Sequence, residues 1–220
     1  MALPIAVIAL TTVIGSAMPA RAENRTPATT SMAANVAMKT AIPKGFLLYE
    51  SRATRKRLEK KVVRTRMRWT ASDRLRAPLL IDPCATGKQT DQGRRSARTI
   101  TGRSVMWDGD YSEQLIVYRN EMAARVAVTG LRSDLRRCAK RSRHNFTYQV
   151  KDMRIGDEAF MVDMFEVAST EGATVMRQGR TVAIYALPRE RADDPPQWRE
   201  TEYGGLEAGK MANKLADTPL

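Results

Sequence analysis

The sequence predicts an α+β fold: an antiparallel sheet with helices packed on one face, held by a single disulfide. Alternating apolar runs in the second half are joined by short turn signals, Asp108-Gly109-Asp110 and Gln178-Gly179, the pattern of hairpins. The segment after Asn120 instead carries apolar residues at three- to five-residue spacing, the mark of an amphipathic helix. Strands and helices do not alternate as strand–helix–strand units, so a parallel sheet is not expected.

Residues 1–18 (MALPIAVIALTTVIGSAM) are apolar and carry no charged side chain, and Pro19 and Ala20-Arg21-Ala22 follow. This is an A-x-A site for removal of a signal peptide spanning 1–22. No Lys or Arg precedes the run, and no cysteine lies near the cleavage site, which excludes lipoprotein attachment. An uncleaved anchor is the alternative, but the run sits at the low edge of a membrane span. Cleavage near Ala22 is therefore the expectation, giving a secreted, envelope-located protein with no integral membrane span in its mature form. Residues 23–40 are rich in Ala, Thr and Asn without periodicity and read as a flexible linker. The domain is expected over 41–216, with a loop at 187–205, a short helix at 206–216 and a tail at 217–220.

Within the domain, Ile42-Pro43-Lys44-Gly45-Phe46-Leu47-Leu48 opens with a turn and an apolar run that needs burial. Residues 54–69 are highly charged, with Leu58, Val62 and Met67 as a partial stripe, consistent with a narrow-faced surface helix or an extended basic segment. Leu79-Leu80-Ile81 is a short apolar run stopped by Pro83. Strands are expected over 98–107 and 113–118 (EQLIVY). Asn120 is placed to cap a helix whose buried face is expected to hold Met122, Val126, Ala127, Leu131, Leu135 and Cys138. Further strands are expected over 146–150, 160–167, 174–177 and 181–187, the last pair joined by Gln178-Gly179 and ended by Pro188. Leu206, Ala208, Met211, Ala212 and Leu215 predict a last helix docked on the sheet.

The chain has two cysteines, Cys84 and Cys138. An even, minimal count behind an export signal reads as one structural disulfide. Such a bridge closes a loop of roughly 55 residues, worth roughly 4 kcal/mol in the chain-entropy account. Neither cysteine has a CxxC partner, so redox chemistry is the weaker reading.

Taken in order, several landmarks resemble the PknH-like extracellular sensor domain and its secreted actinobacterial relatives. They are Ile42-Pro43-x-Gly45-Phe46-Leu47; Asp82-Pro83-Cys84; Tyr118 with the helix ending Leu131-Arg132-x-x-Leu135-x-x-Cys138; Gly156-Asp157-Glu158-Ala159; and Val175-x-Arg177-x-Gly179. The resemblance covers about residues 41–187. It implies an α+β fold with a ligand-binding cleft outside the cell, and it brings no catalytic residue. Where the kinase sensor uses more than one disulfide, this chain has cysteines for one. It carries no kinase domain, so a stand-alone binding or wall-associated protein is expected.

The formal charge is +13. Residues 44–76 hold twelve Lys or Arg against Glu50, Glu59 and Asp73, a net +9. Arg55, Lys56, Arg57, Lys60, Lys61 and Arg64 form the candidate anion-binding group, for an anionic envelope polymer or lipid. An Arg-rich composition that serves only solubility is the competing explanation. Nucleic acid is a poor candidate, because export removes it and the basic residues are not interleaved with aromatics.

Catalytic chemistry finds little support. His144 is the single histidine, in a basic stretch, and no G-x-S-x-G elbow accompanies it. Without a second histidine or spare thiols, no zinc site is expected, and no cofactor. Asp108 and Asp110 read as a hairpin turn rather than a calcium loop. Asp157-Glu158 reads as a turn or an arginine partner, since adjacent strand residues point to opposite faces. Trp69, Trp107 and Trp198 could together grip a lipid or sugar if exposed; core packing is the plainer reading. The expected function is a non-enzymatic, sensor-like domain binding an unidentified small molecule or envelope ligand in a groove.

Overall fold

The run Leu115-Ile116-Val117-Tyr118 is apolar at every position, which a strand tolerates only when both of its faces are covered. The computed structural model describes residues 41–61, 67–81, 92–104, 110–141, 147–166, 169–186, 190–191 and 204–220, all within one unit, Ala37–Leu220. In it that run belongs to β3, a central strand covered on both sides. The strands are β1 (Met67–Ser72), β2 (Arg94–Ser104), β3 (Asp110–Tyr118), β4 (Thr147–Met153), β5 (Glu158–Glu166), β6 (Ser169–Gln178), β7 (Thr181–Ala186) and the two-residue β8 (Glu190–Arg191). They form one sheet in the order β1-β2-β3-β7-β6-β5-β4, every pairing antiparallel, with β8 also paired to β6. The helices are α1 (Arg52–Lys61), preceded by a 3-10 turn at Leu48–Glu50, then α2 (Glu121–Arg141) and α3 (Gly204–Asp217).

The antiparallel α+β architecture is as expected, but the helices do not share one face. Alternation along β3 sends Glu113, Leu115 and Val117 one way and Gln114, Ile116 and Tyr118 the other. The first set joins Tyr49, Leu58, Tyr185, Met211 and Leu215, so α1 and α3 cover that side. The second joins Ala124, Val128, Leu131, Leu135, Phe160 and Val175, so α2 covers the opposite side. The physical reason was in the chain: an unbroken apolar run in β3, echoed by Val182-Ala183-Ile184-Tyr185 in β7, exposes no polar face to water.

Asn120 caps α2 as expected, its Oδ1 accepting from the Ala123 amide at 2.8 Å. The buried stripe of α2 is Ala124, Val128, Leu131, Leu135 and Cys138. Met122 and Val126, expected on that stripe, are 62% and 63% exposed. Each lies two residues, about 200° of helix rotation, from Ala124, which puts them on the side of the helix away from the sheet.

The hairpin at Gln178-Gly179 forms as predicted, with Gly179 at φ 57°. The 79–81 run packs on the α2 side, where Ile81 is buried. Gln114 fastens it, accepting from the Leu80 amide at 3.3 Å and donating to the Pro78 carbonyl at 2.9 Å. Cys138 is buried, and no described cysteine is free. Its expected partner Cys84 lies outside the described residues.

Candidate functional site

The α1/α3 face assembles its polar groups around Glu113. This residue opens the apolar run of β3 and is 0% exposed. Three donors converge on its carboxylate: the Leu48 amide at 3.0 Å, the Tyr49 amide at 2.6 Å and the Tyr185 hydroxyl at 2.9 Å. The two amides are free to point at it because a 3-10 turn starting at Leu48 leaves its first N–H groups without partners of their own. Burial pushes the Glu113 carboxyl up to about 7, against the lowering pull of the three donors and of the Lys214 charge. Burial, the Glu207 charge and the Glu113 charge raise the Tyr49 phenol well above its usual range; burial and Glu113 do the same for Tyr185.

Around this centre the segment 42–61 is fastened by further polar contacts. Gly45, at φ 82°, turns the chain so that its amide donates to Glu50 Oε2 at 2.8 Å. The Glu50 carboxylate also binds Arg98 of β2, which reaches Asp73 as well. Burial alone would raise Glu50; the Arg98 hydrogen bond and the Leu47 and Gly45 amides outweigh it and hold the group below the usual carboxylate range. From α3, Lys214 Nζ donates to the Phe46 carbonyl at 2.5 Å and sits 4.4 Å from the Phe46 ring centre. Buried Glu207 accepts from Arg57 of α1.

An aromatic group completes the face. The Tyr49 ring meets Trp69 edge-on at 6.0 Å and Tyr185 at 5.8 Å. Arg55 lies 5.2 Å from the Trp69 ring centre, and the indole N–H donates to Glu59 at 3.1 Å. Gly102 of β2 makes room for the ring: a Cβ there would fall 2.6 Å from indole carbons. Trp69 is thus clamped on both sides as a packing residue. Trp107 and Trp198 lie outside the described residues, as do His144 and Asp108. Asp110 pairs with Arg103 across β2 and β3 at 3.1 Å.

The basic candidates divide. Arg55 is occupied by Trp69 and by the Tyr49 carbonyl, to which its Nε donates at 2.7 Å, and Arg57 is occupied by Glu207. Lys56 and Lys60 are exposed and, with Arg52, form one stripe at four-residue spacing. The Lys61 side chain and Arg64 lie outside what the structure describes.

On the opposite face, three of the sequence landmarks come together. Gly156, at φ 59°, turns β4 into β5 so tightly that a Cβ would fall 2.6 Å from the Arg177 carbonyl oxygen. Asp157 Oδ2 then accepts from Arg177 Nη1 at 2.9 Å and from the Gly179 amide at 2.7 Å. Glu158 meets Arg132 of α2 at 3.0 Å and Arg177 at 3.6 Å. Arg132 also stacks 4.9 Å from the Phe160 ring centre. The pair Asp157-Glu158 therefore takes arginine partners, as expected, and ties two hairpins and α2 into one latch. These motifs build the frame; they do not mark a ligand site.

Among the described residues, no helix is long and apolar enough to cross a membrane, and no group of three or more His, Cys, Asp or Glu is placed to hold a metal ion. No protein-family model matches the chain, and neither does any curated protein. Among solved structures, the extracellular domain of PknH from Mycobacterium tuberculosis has a similar fold, with a TM-score of 0.52 at 10% sequence identity. The likeness spans 80% of this chain and 97% of that one. At that identity it is a likeness of fold.

Proposed function

We propose that residues 41–216 are a non-enzymatic, sensor-like domain that works outside the cell and binds a small molecule or envelope ligand. The observation that carries this reading is the fold shared with the PknH extracellular domain along nearly its whole length. The apolar leader over 1–22 and the cysteine pair Cys84 and Cys138 support it from the sequence. In this reading the leader is cleaved near Ala22 and the two cysteines form the structural bridge, fixing the end of α2. Binding is tested by thermal unfolding of the protein with wall fragments, lipids and sugars. A rise in Tm with one class supports the proposal; a flat response to every class counts against it. Mass spectrometry without reductant tests the bridge separately, and two free thiols would remove it.

A second reading is favoured by the exposed stripe Arg52, Lys56 and Lys60: contact with an anionic polymer or lipid surface. Binding to anionic vesicles should then fade as salt rises, because exposed charges are screened over about 10 Å at 0.1 M salt. Salt-independent binding would reject it.

A further inference from the structure

We propose that the Glu113 carboxyl is a proton-responsive clasp, whose protonation strengthens docking of residues 46–50 on the sheet and whose ionisation loosens it. The geometry is that of a clasp. A fully buried carboxyl on the sheet holds two consecutive backbone amides, Leu48 and Tyr49, that belong to a segment 64 and 65 residues away in sequence. When that segment lifts, the carboxyl meets water and its ionised form becomes cheap; when it docks, the charge is sealed among Tyr49, Leu115 and Tyr185.

The groups facing the site account for the balance. From the 3-10 turn come Tyr49 and Glu50; from β7, Tyr185; from β3 itself, Tyr111; from β2, Arg98; from α1, Arg57; from α3, Glu207 and Lys214. The three cations are committed elsewhere, Arg57 to Glu207, Lys214 to the Phe46 carbonyl and Arg98 to Glu50 and Asp73. Glu113 is therefore held by neutral donors, which soften the cost of burying its charge without cancelling it. The added proton has a place on Oε1, along the 2.9 Å line to the Tyr185 oxygen, once the Tyr185 hydroxyl turns its own hydrogen away and accepts instead of donating.

The sign follows. The docked carboxyl titrates at about 7 and the water-facing one near 4.5, so the docked state holds more protons between those values. The Glu113 contribution to docking is complete below pH 4.5 and weakens as pH rises through 7. Between pH 5 and 8 the docking equilibrium should change by roughly fifty- to a hundredfold, since each unit of difference is a factor of ten. The clasp needs no ligand, so it stands apart from the sensor reading.

Hydrogen exchange on the full chain tests it, with rates corrected for the intrinsic pH dependence of exchange. Protection of the Leu48 and Tyr49 amides should fall by that factor from pH 5 to 8. In Glu113→Gln the dependence should vanish, and in Tyr185→Phe its midpoint should move upward because the charge loses a donor. Protection that is constant with pH in the natural chain, or an undiminished dependence in Glu113→Gln, overturns the proposal. If Glu113→Gln does not fold, a carbon NMR titration of the Glu113 carboxyl in the natural chain decides. A midpoint near 7 supports the clasp, and one near 4.5 overturns it.

Discussion

On the α2 face the buried charge is a guanidinium, Arg177, met by Asp157, Glu158 and Glu121 at 2.9, 3.6 and 3.7 Å. On the α1/α3 face, beside the buried ion pairs Arg98–Glu50 and Arg57–Glu207, Glu113 is a buried carboxylate met by two amides and a phenol rather than by a cation. The first arrangement neutralises its charge by opposite charge and is closed at any pH where carboxylates are ionised. The second leaves the charge uncompensated in contact and so ties packing to proton uptake. One sheet thus carries a permanent latch on one side and an adjustable one on the other.

The largest expected effect comes from breaking the permanent latch. Arg177→Leu leaves Asp157 and Glu158 facing the hole left by a side chain that is only 4% exposed. The carboxylates left behind keep 18% to 64% exposure, so water offsets part of the loss and the cost should be about 2–3 kcal/mol, below that of a fully buried pair. Urea unfolding should show that loss in the midpoint with little change of slope. It should leave the pH dependence of the Leu48 and Tyr49 amides intact, because those lie on the other face. A loss under about 1 kcal/mol would mean that the latch is a decoration on an already stable frame.

A second prediction sharpens the contrast by titration. Glu113 is raised to about 7, so its contribution to stability is complete below pH 4.5 and is lost as pH rises through 7. Glu50 is lowered, so its contribution is present above its unfolded value of 4.5 and is lost as pH falls through its folded value. The two carboxylates fasten the same segment and oppose each other in pH. Stability should therefore peak in mildly acidic solution, near pH 5, and decline toward pH 8 by about 2 kcal/mol on the scale of such shifts. Denaturant midpoints measured from pH 3 to 9 check this. In Glu113→Gln the alkaline decline should disappear while the acid limb remains.

The two faces also differ in how far they could be read from sequence. Parts of the α2-side latch were legible because they are local turn signals, Gly156 with Asp157 beside it and the Gln178-Gly179 hairpin; that Arg177 and Arg132 are the arginine partners was not, since they lie 20 and 26 residues away. The clasp was not, because its partners are 64 to 72 residues apart and no local rule links a glutamate at 113 to amides at 48 and 49. A signal did exist. Glu113 and Gln114 begin a run too apolar to have a wet face, so polar side chains there had to find buried partners. The same overlooked feature explains the misplaced helices. Charge counting misled in another way: two of the five positive residues in 52–60, Arg55 and Arg57, are spent inside the fold.

That division gives the last and smallest effect, within α1 itself. Lys56→Gln and Lys60→Gln remove exposed charges and should change stability by no more than about 0.5 kcal/mol. Arg57→Gln strands the buried Glu207 carboxylate, and the cost should approach 2 kcal/mol, toward the range for an orphaned buried charge. Thermal unfolding of the three variants separates them. Anionic-vesicle binding, where it occurs, should follow the opposite ranking, falling with the two lysines and holding with Arg57, because a guanidinium already bound to a carboxylate has little charge left to offer a surface. If Arg57→Gln weakens vesicle binding as much as the lysine changes while leaving stability alone, its pair with Glu207 does not persist in solution, and the α1 face is the less firmly built of the two.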